Sequence, residues 1–152
     1  MECYEGATMI KTFRGLMADD TQDTIVLHTN DGSTGYRIVK FQIMPNDLNT
    51  NDEYTMQIWK VSQTANDVVV DFSNQTLLGA AYIETVGGAH EGMTSTVIFD
   101  QEIFNQDIYI TTKSQASGSC NYYIELEQVK LDINSNTAAT LKDMRNTATP
   151  LP

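Results

Sequence analysis

His28 and His90 are the two histidines of this 152-residue chain, and a neutral imidazole is the side chain best suited to general-base or metal-ligand work near pH 7. Neither stands in His-Glu-x-x-His spacing or beside cysteines, so a histidine zinc site is not expected. His28 ends the apolar run Thr24-Ile-Val-Leu-His28 and reads as a satisfied residue at the edge of a core. His90 falls in Gly87-Gly88-Ala89-His90-Glu91-Gly92, where a hinge or loop tip is as good a reading as catalysis.

Oxygen donors for a hard cation are the second possibility. Asp47, Asn49 and Asn51 offer oxygens at alternate positions, as the opening of a calcium loop does. The pattern then breaks, because Asp52 replaces the turn glycine and Ile58 stands where the bidentate Glu belongs, so an Asx-rich turn is expected. Asp19, Asp20 and Asp23 form another acidic group that reads as a solvated loop, with like-charge repulsion as its one argument for weak cation binding. Glycoside hydrolysis needs an acid and a base facing each other across a cleft, and twenty acidic residues make chance pairings cheap. No nucleophile elbow, phosphate loop or dinucleotide motif occurs. No catalytic residue, metal or cofactor is therefore expected, and the chain is read as a non-enzyme.

Trp59 and the tyrosines Tyr36, Tyr54, Tyr82, Tyr109, Tyr122 and Tyr123 would make a sugar-stacking platform if several were exposed on one sheet face. Aromatic residues at alternating strand positions belong more often to a core. Cys3 and Cys120 can pair if the termini meet, although two distant cysteines outside any Cys-x-x-Cys motif are expected to be free thiols. The Asn74-Gln75-Thr76 sequon carries meaning only along a secretory route, and Glu2, Glu5, Lys11 and Arg14 occupy the region where a signal's apolar stretch would lie.

The elements that must position these side chains are strands. Short runs of β-branched and aromatic residues recur at about 8–12 residue spacing, at Thr8–Arg14, Thr24–His28, Gly35–Met44, Glu53–Ser62, Thr76–Glu84, Met93–Asp100, Gln106–Lys113 and Ser119–Leu131. Turn chemistry separates them: Asn30-Asp31-Gly32, Pro45-Asn46-Asp47, Gly87-Gly88 and Ser117-Gly118-Ser119. In Glu53–Ser62, Tyr54, Met56 and Ile58 share one face against Thr55, Gln57 and Trp59 on the other. Gly35–Met44 has apolar residues on both parities, which predicts a central strand covered on both sides or a subunit contact. The fold class expected is an all-β, antiparallel sandwich over residues 1–131, jelly-roll-like, with about eight strands. Residues 132–152 would add a short helix at Thr137–Arg145 and an extended arm at Thr147–Pro152.

Nine basic against twenty acidic residues leave a formal charge of −11, which opposes any partner held through phosphates and so argues against nucleic acid. No apolar run approaches the ~20 residues of a membrane-spanning helix, so no membrane partner is expected either. An acidic surface of this kind suits solubility at high local copy number or docking on a basic partner.

Two stretches carry a resemblance: Gln22-Asp-Thr-Ile-Val-Leu-His-Thr-Asn-Asp-Gly-Ser-Thr-Gly-Tyr-Arg-Ile-Val-Lys-Phe-Gln-Ile-Met44, and Thr137-Ala-Ala-Thr-Leu-Lys-Asp-Met-Arg-Asn-Thr147. They resemble segments of small virion structural proteins of marine tailed bacteriophages, cyanophage-like viruses among them. The resemblance implies a capsid- or tail-associated β-sandwich located in the virion, with the major capsid protein or other virion proteins as partners, and supplies no catalytic residues. The function expected is that of a capsid decoration or cement protein, a homo-oligomer bridging capsid subunits. Met1–Arg14 and Leu131–Pro152 are the expected contact arms. The alternative is a carbohydrate- or receptor-binding module on a tail or head fibre, using Trp59 and His90.

Overall fold

The computed structural model describes residues 9–87, 92–132 and 140. Eight strands run in the order β1 (Ile10–Met17), β2 (Thr21–Ile25), β3 (Thr34–Pro45), β4 (Asp52–Trp59), β5 (Leu77–Thr85), β6 (Thr94–Ile98), β7 (Ile108–Ser114) and β8 (Cys120–Lys130). Each falls on an expected run, displaced by a few residues at its ends. The strands make two antiparallel sheets, one of three strands ordered β1-β8-β3 and one of five ordered β2-β7-β4-β5-β6. The expected β-sandwich is therefore the fold. The jelly-roll closure is incomplete: the nested pairs β1–β8, β2–β7 and β4–β5 are present, but β6 hydrogen-bonds to β5 and forms no ladder with β3. The predicted helix and arm lie outside the described residues, Thr140 excepted.

Alternation builds the core. Cys120, Tyr122, Ile124 and Leu126 of β8 face inward from the smaller sheet, and Ile108 and Ile110 of β7 with Met56 and Ile58 of neighbouring β4 face inward from the larger one. Side chains such as Ile38, Ile58, Ile110 and Leu126 are fully buried, each contributing roughly 1.5–3 kcal/mol through removal from water.

Two sequence ambiguities are resolved by particular backbone events. The two-faced pattern of β3 is a β-bulge: the ladder pairs Ile38 with Leu126 and Lys40 with Glu125, leaving Val39 as the extra residue. Tyr36 and Ile38 before it and Phe41 and Ile43 after it thus share the inner face, and β3 is an edge strand, which removes the central strand from the two readings of its pattern. On β4, the outward residues Thr55, Gln57 and Trp59 are also buried. The connection between Trp59 and Leu77 covers them by crossing the outside of the larger sheet. It is tied to β2 by Gln63 N–H to Gln22 Oε1 at 2.7 Å. Over β4, Gln57 Nε2 donates to the carbonyls of Asp67 and Val69 at 3.3 and 3.2 Å. Beyond β5 the crossing is closed by the edge-to-face contact of Phe72 with Phe99, 5.4 Å between centroids.

Candidate functional site

The expected chemical residues do not converge. Trp59 is 7% exposed and donates its indole N–H to Thr111 Oγ1 at 3.0 Å, beneath the covering loop. Tyr36, Tyr54 and Tyr122 are core residues. A stacking platform centred on Trp59 is thereby ruled out, because its ring has no free face to offer a sugar. Cys120 is a buried free thiol, and burial pushes its pKa up to about 12; Cys3 lies outside the described residues, as does His90.

The loop carboxylates Asp47, Asp19 and Asp20 are engaged by the protein itself. Asp47 Oδ1 accepts the N–H of Asn49 at 2.9 Å, an Asx turn, while Asn51 Oδ1 accepts the N–H of Gly87. Asp19 accepts the N–H of Ser114 at 2.7 Å, and Asp20 meets Lys113 at 3.6 Å and Asn66 at 3.1 Å. Among the described residues no three acidic, histidine or cysteine side chains gather as a metal site would require.

His28 differs from its expected place at a core edge. It lies beyond the end of β2 with its side chain 55% exposed, and Nδ1 sits 2.7 Å from Asp107 Oδ1. The same oxygen accepts the backbone N–H groups of Leu27 and His28 at 2.8 and 3.0 Å. Burial raises the carboxyl's pKa, but these hydrogen bonds and the imidazole together hold it below the ordinary value. The arrangement fixes the imidazole's orientation, as a carboxylate does in a catalytic triad. It also pins the chain as it leaves β2 to the start of β7.

A cleft of about 690 Å³ lies where the smaller sheet and β6 approach each other. Three cross-strand rows line its sheet wall. Arg14, Tyr123 and Gln42 form one, Leu16, Asn121 and Met44 another, with Gly15, Tyr122 and Ile43 between them. Thr94 and Thr96 of β6 complete the lining. Gly15 has a steric reason: a Cβ there would lie 3.0 Å from the Tyr122 ring, tighter than ordinary contact. The missing β3–β6 ladder is what leaves this end of the sandwich open. Sequence reasoning missed the cleft because its residues come from four strands far apart in the chain. Gly15 and Ile43 carry no local signal of a cleft, and Tyr122 is the one aromatic candidate of the sequence on its inward-facing row.

β6 is the second unusual surface. Its edge away from β5 has no strand partner among the described residues, and Met93 and Val97 are 70% and 37% exposed. The other outer strands carry charge or proline: Lys11 and Arg14 on β1, Asp23 on β2, Arg37, Lys40 and Pro45 on β3. From Gly92 to Phe99, β6 and its flanks carry none.

Among the described residues no helix is long and apolar enough to cross a membrane. Neither a protein-family model nor a curated protein sequence matches the chain.

Proposed function

We propose that this protein is a structural component of a virus particle, a decoration protein that stabilises a phage head by bridging capsid subunits. The observation that carries the reading is the unguarded edge of β6. Soluble β proteins blunt their sheet edges with Lys, Pro, bulges or covering loops, because free N–H and C=O groups template pairing with another chain. Thr94-Ser-Thr-Val-Ile98 has no Lys, Pro or bulge, and no strand among the described residues pairs with its outer edge, while the other edge strands carry charge or proline. Such an edge fits a surface that is covered in an assembly, where an added strand supplies main-chain hydrogen bonds and the exposed Met93 and Val97 supply apolar burial. The resemblance of Gln22–Met44 to phage virion proteins points to the same setting. A charge of −11 keeps unassembled copies apart, and the uncharged edge is where close approach costs least.

The test is particle stability. Particles lacking the protein should lose infectivity or release DNA at lower temperature and lower ionic strength than complete particles. Adding back the purified protein should restore resistance, and adding back Ser95→Lys, which sets a guarding charge on the edge, should not. Particles equally resistant with and without the protein would refute the role.

A further inference from the structure

We infer that the open edge of β6 is a homodimer contact, pairing antiparallel with β6 of a second copy of this chain about a two-fold axis at Thr96. Naming the partner deepens the reading of β6 as an assembly edge and rests on that reading, but not on the viral setting.

The register fixes the axis. Met93 and Phe99 bond to β5 through Glu84 and Leu78, so the backbone groups of Thr94, Thr96 and Ile98 point away from that strand. An antiparallel partner that sets Thr96 against Thr96 of the second copy also sets Thr94 against Ile98 and Ile98 against Thr94. All three residues then exchange both main-chain hydrogen bonds with the copy, and the two five-stranded sheets become one continuous sheet. An axis at Ser95 or Val97 would instead leave Ile98 or Thr94 facing a residue outside the strand.

The side chains agree with this axis. Thr94, Ser95, Thr96 and Val97 are all exposed, so nothing among the described residues stands in the way of a partner. Thr96 beside Thr96 is a favourable cross-strand pair. On the outer face, Met93 falls opposite Phe99 of the second copy, whose ring already packs edge-on against the exposed Phe72. Each copy thus offers the apolar surface that the other needs.

Charge selects a second copy over a foreign chain. Two-fold pairing sets a strand against its own sequence, so a charge near the axis meets its like, which is destabilising. Self-pairing of β2 about Asp23 would place carboxylate against carboxylate, while β1 carries Lys11 and Arg14 and β3 carries Arg37 and Lys40. Residues 92–99 carry no charge, and Asp100, which follows them, falls opposite Gly92 of the second copy. At a formal charge of −11, this strip is where two copies approach with least repulsion. A basic partner, the kind that an acidic protein attracts, finds no acidic side chain on it to hold.

The experiment is sedimentation equilibrium of the whole chain between about 10 μM and about 1 mM, in about 0.15 M salt so that the overall charge is screened. The chain should dimerise with a Kd of about 100 μM or tighter, and Thr96→Pro should weaken the dimer at least about tenfold. Thr96→Lys and Thr96→Glu should each do the same alone, because like charges then meet at the axis, and an equal mixture of the two should associate again as a heterodimer. Thr96 is exposed, so these variants are expected to fold, and an unchanged circular dichroism spectrum verifies it. A chain that is monomeric at about 1 mM, or a dimer that Thr96→Pro leaves intact, would overturn the contact. A mixture that stays monomeric would overturn the axis at Thr96. A monomeric chain that still stabilises particles would sink the self-pairing and leave the decoration role standing, whereas a β6 dimer without effect on particles would do the reverse.

Discussion

Lys60 places its ammonium 2.8 Å from the Glu102 carboxylate, with the lysine side chain 1% exposed and the glutamate 32% exposed. The lysine directly follows β4, where the covering loop begins, and its backbone N–H donates to the Thr76 carbonyl at 2.8 Å at that loop's end. A buried ammonium is costly without a counter-charge, whereas replacing it by an apolar side chain of similar volume is often neutral or better. Glu102→Ala should therefore destabilise the protein by about 1–3 kcal/mol, solvent access to the glutamate keeping the loss below that of a fully buried pair. Lys60→Met should change stability by less than about 1 kcal/mol. Urea denaturation of the two variants checks the asymmetry, and equal losses would contradict it.

Asp52 holds the β7–β8 turn. Its Oδ1 accepts the N–H groups of Glu53, Gln115 and Ala116 at 2.7, 3.0 and 2.8 Å, and its Oδ2 accepts that of Gly118 at 3.0 Å. Burial is the largest single influence and pushes the carboxyl upward, but the four N–H groups together outweigh it and the pKa ends below its ordinary 3.8. A folded-state pKa below the unfolded one gives stability that is present above the unfolded value and is lost as pH falls through the folded value. Asp52→Asn turns an amide N–H₂ toward backbone donors and should cost about 2–3 kcal/mol at neutral pH. The deficit should begin to shrink below about pH 4, where the unfolded carboxyl takes up protons, and close once pH has fallen through the lower native value. Denaturation at pH 7 and pH 3 measures both gaps, and a constant difference would show that the charge is not what the turn uses.

The strands were legible because alternation is local, and so was the inward set Tyr54, Met56 and Ile58. What escaped was decided by distant chain. Trp59 and Gln57 stand at solvent-facing positions by parity and are buried only because residues 60–76 return across them. Val39 looked like a second apolar face and is a bulge, which no period of two can announce. In the turn Ser117-Gly118-Ser119, glycine predicts the left-handed residue, yet Ser117 adopts φ of 66°. Gly118 is required for a different reason: a Cβ there would fall against Tyr54 Oη and Asp52 Oδ2. The cleft was illegible because Gly15, Ile43, Tyr122 and Thr94 come together only through the order of strands in space.

Cys120 is fully buried opposite Met17 and Pro45, and its thiol ionises only near pH 12 because burial disfavours the thiolate. The thiolate is the reactive form, so access and ionisation oppose modification together. In a Cys3→Ser background, labelling of Cys120 by a disulfide reagent at pH 8 should be at least about 100-fold slower in the native protein than in denaturant, with a rate that tracks opening of the fold. Rapid native labelling would place the thiol at the surface and contradict the packing of β8.

The register of β6 gives a paired prediction. Glu84 N–H donates to the Met93 carbonyl at 2.8 Å and Phe99 N–H to the Leu78 carbonyl at 2.9 Å, so the odd-numbered residues from 93 to 99 turn their backbone groups toward β5. Thr94, Thr96 and Ile98 then direct theirs to the open edge. Proline at Thr96 removes a donor that faces no strand, while proline at Ser95 removes one from the ladder. Thr96→Pro should lower monomer stability by less than about 1 kcal/mol and Ser95→Pro by about 3 kcal/mol. Thr96→Pro should nonetheless abolish binding to particles, since the strand that β6 would accept needs the N–H of that residue. Thermal melts of the two variants, beside particle co-sedimentation of Thr96→Pro, read these outcomes separately. Thr96→Pro that binds particles normally would move the contact surface away from the β6 edge.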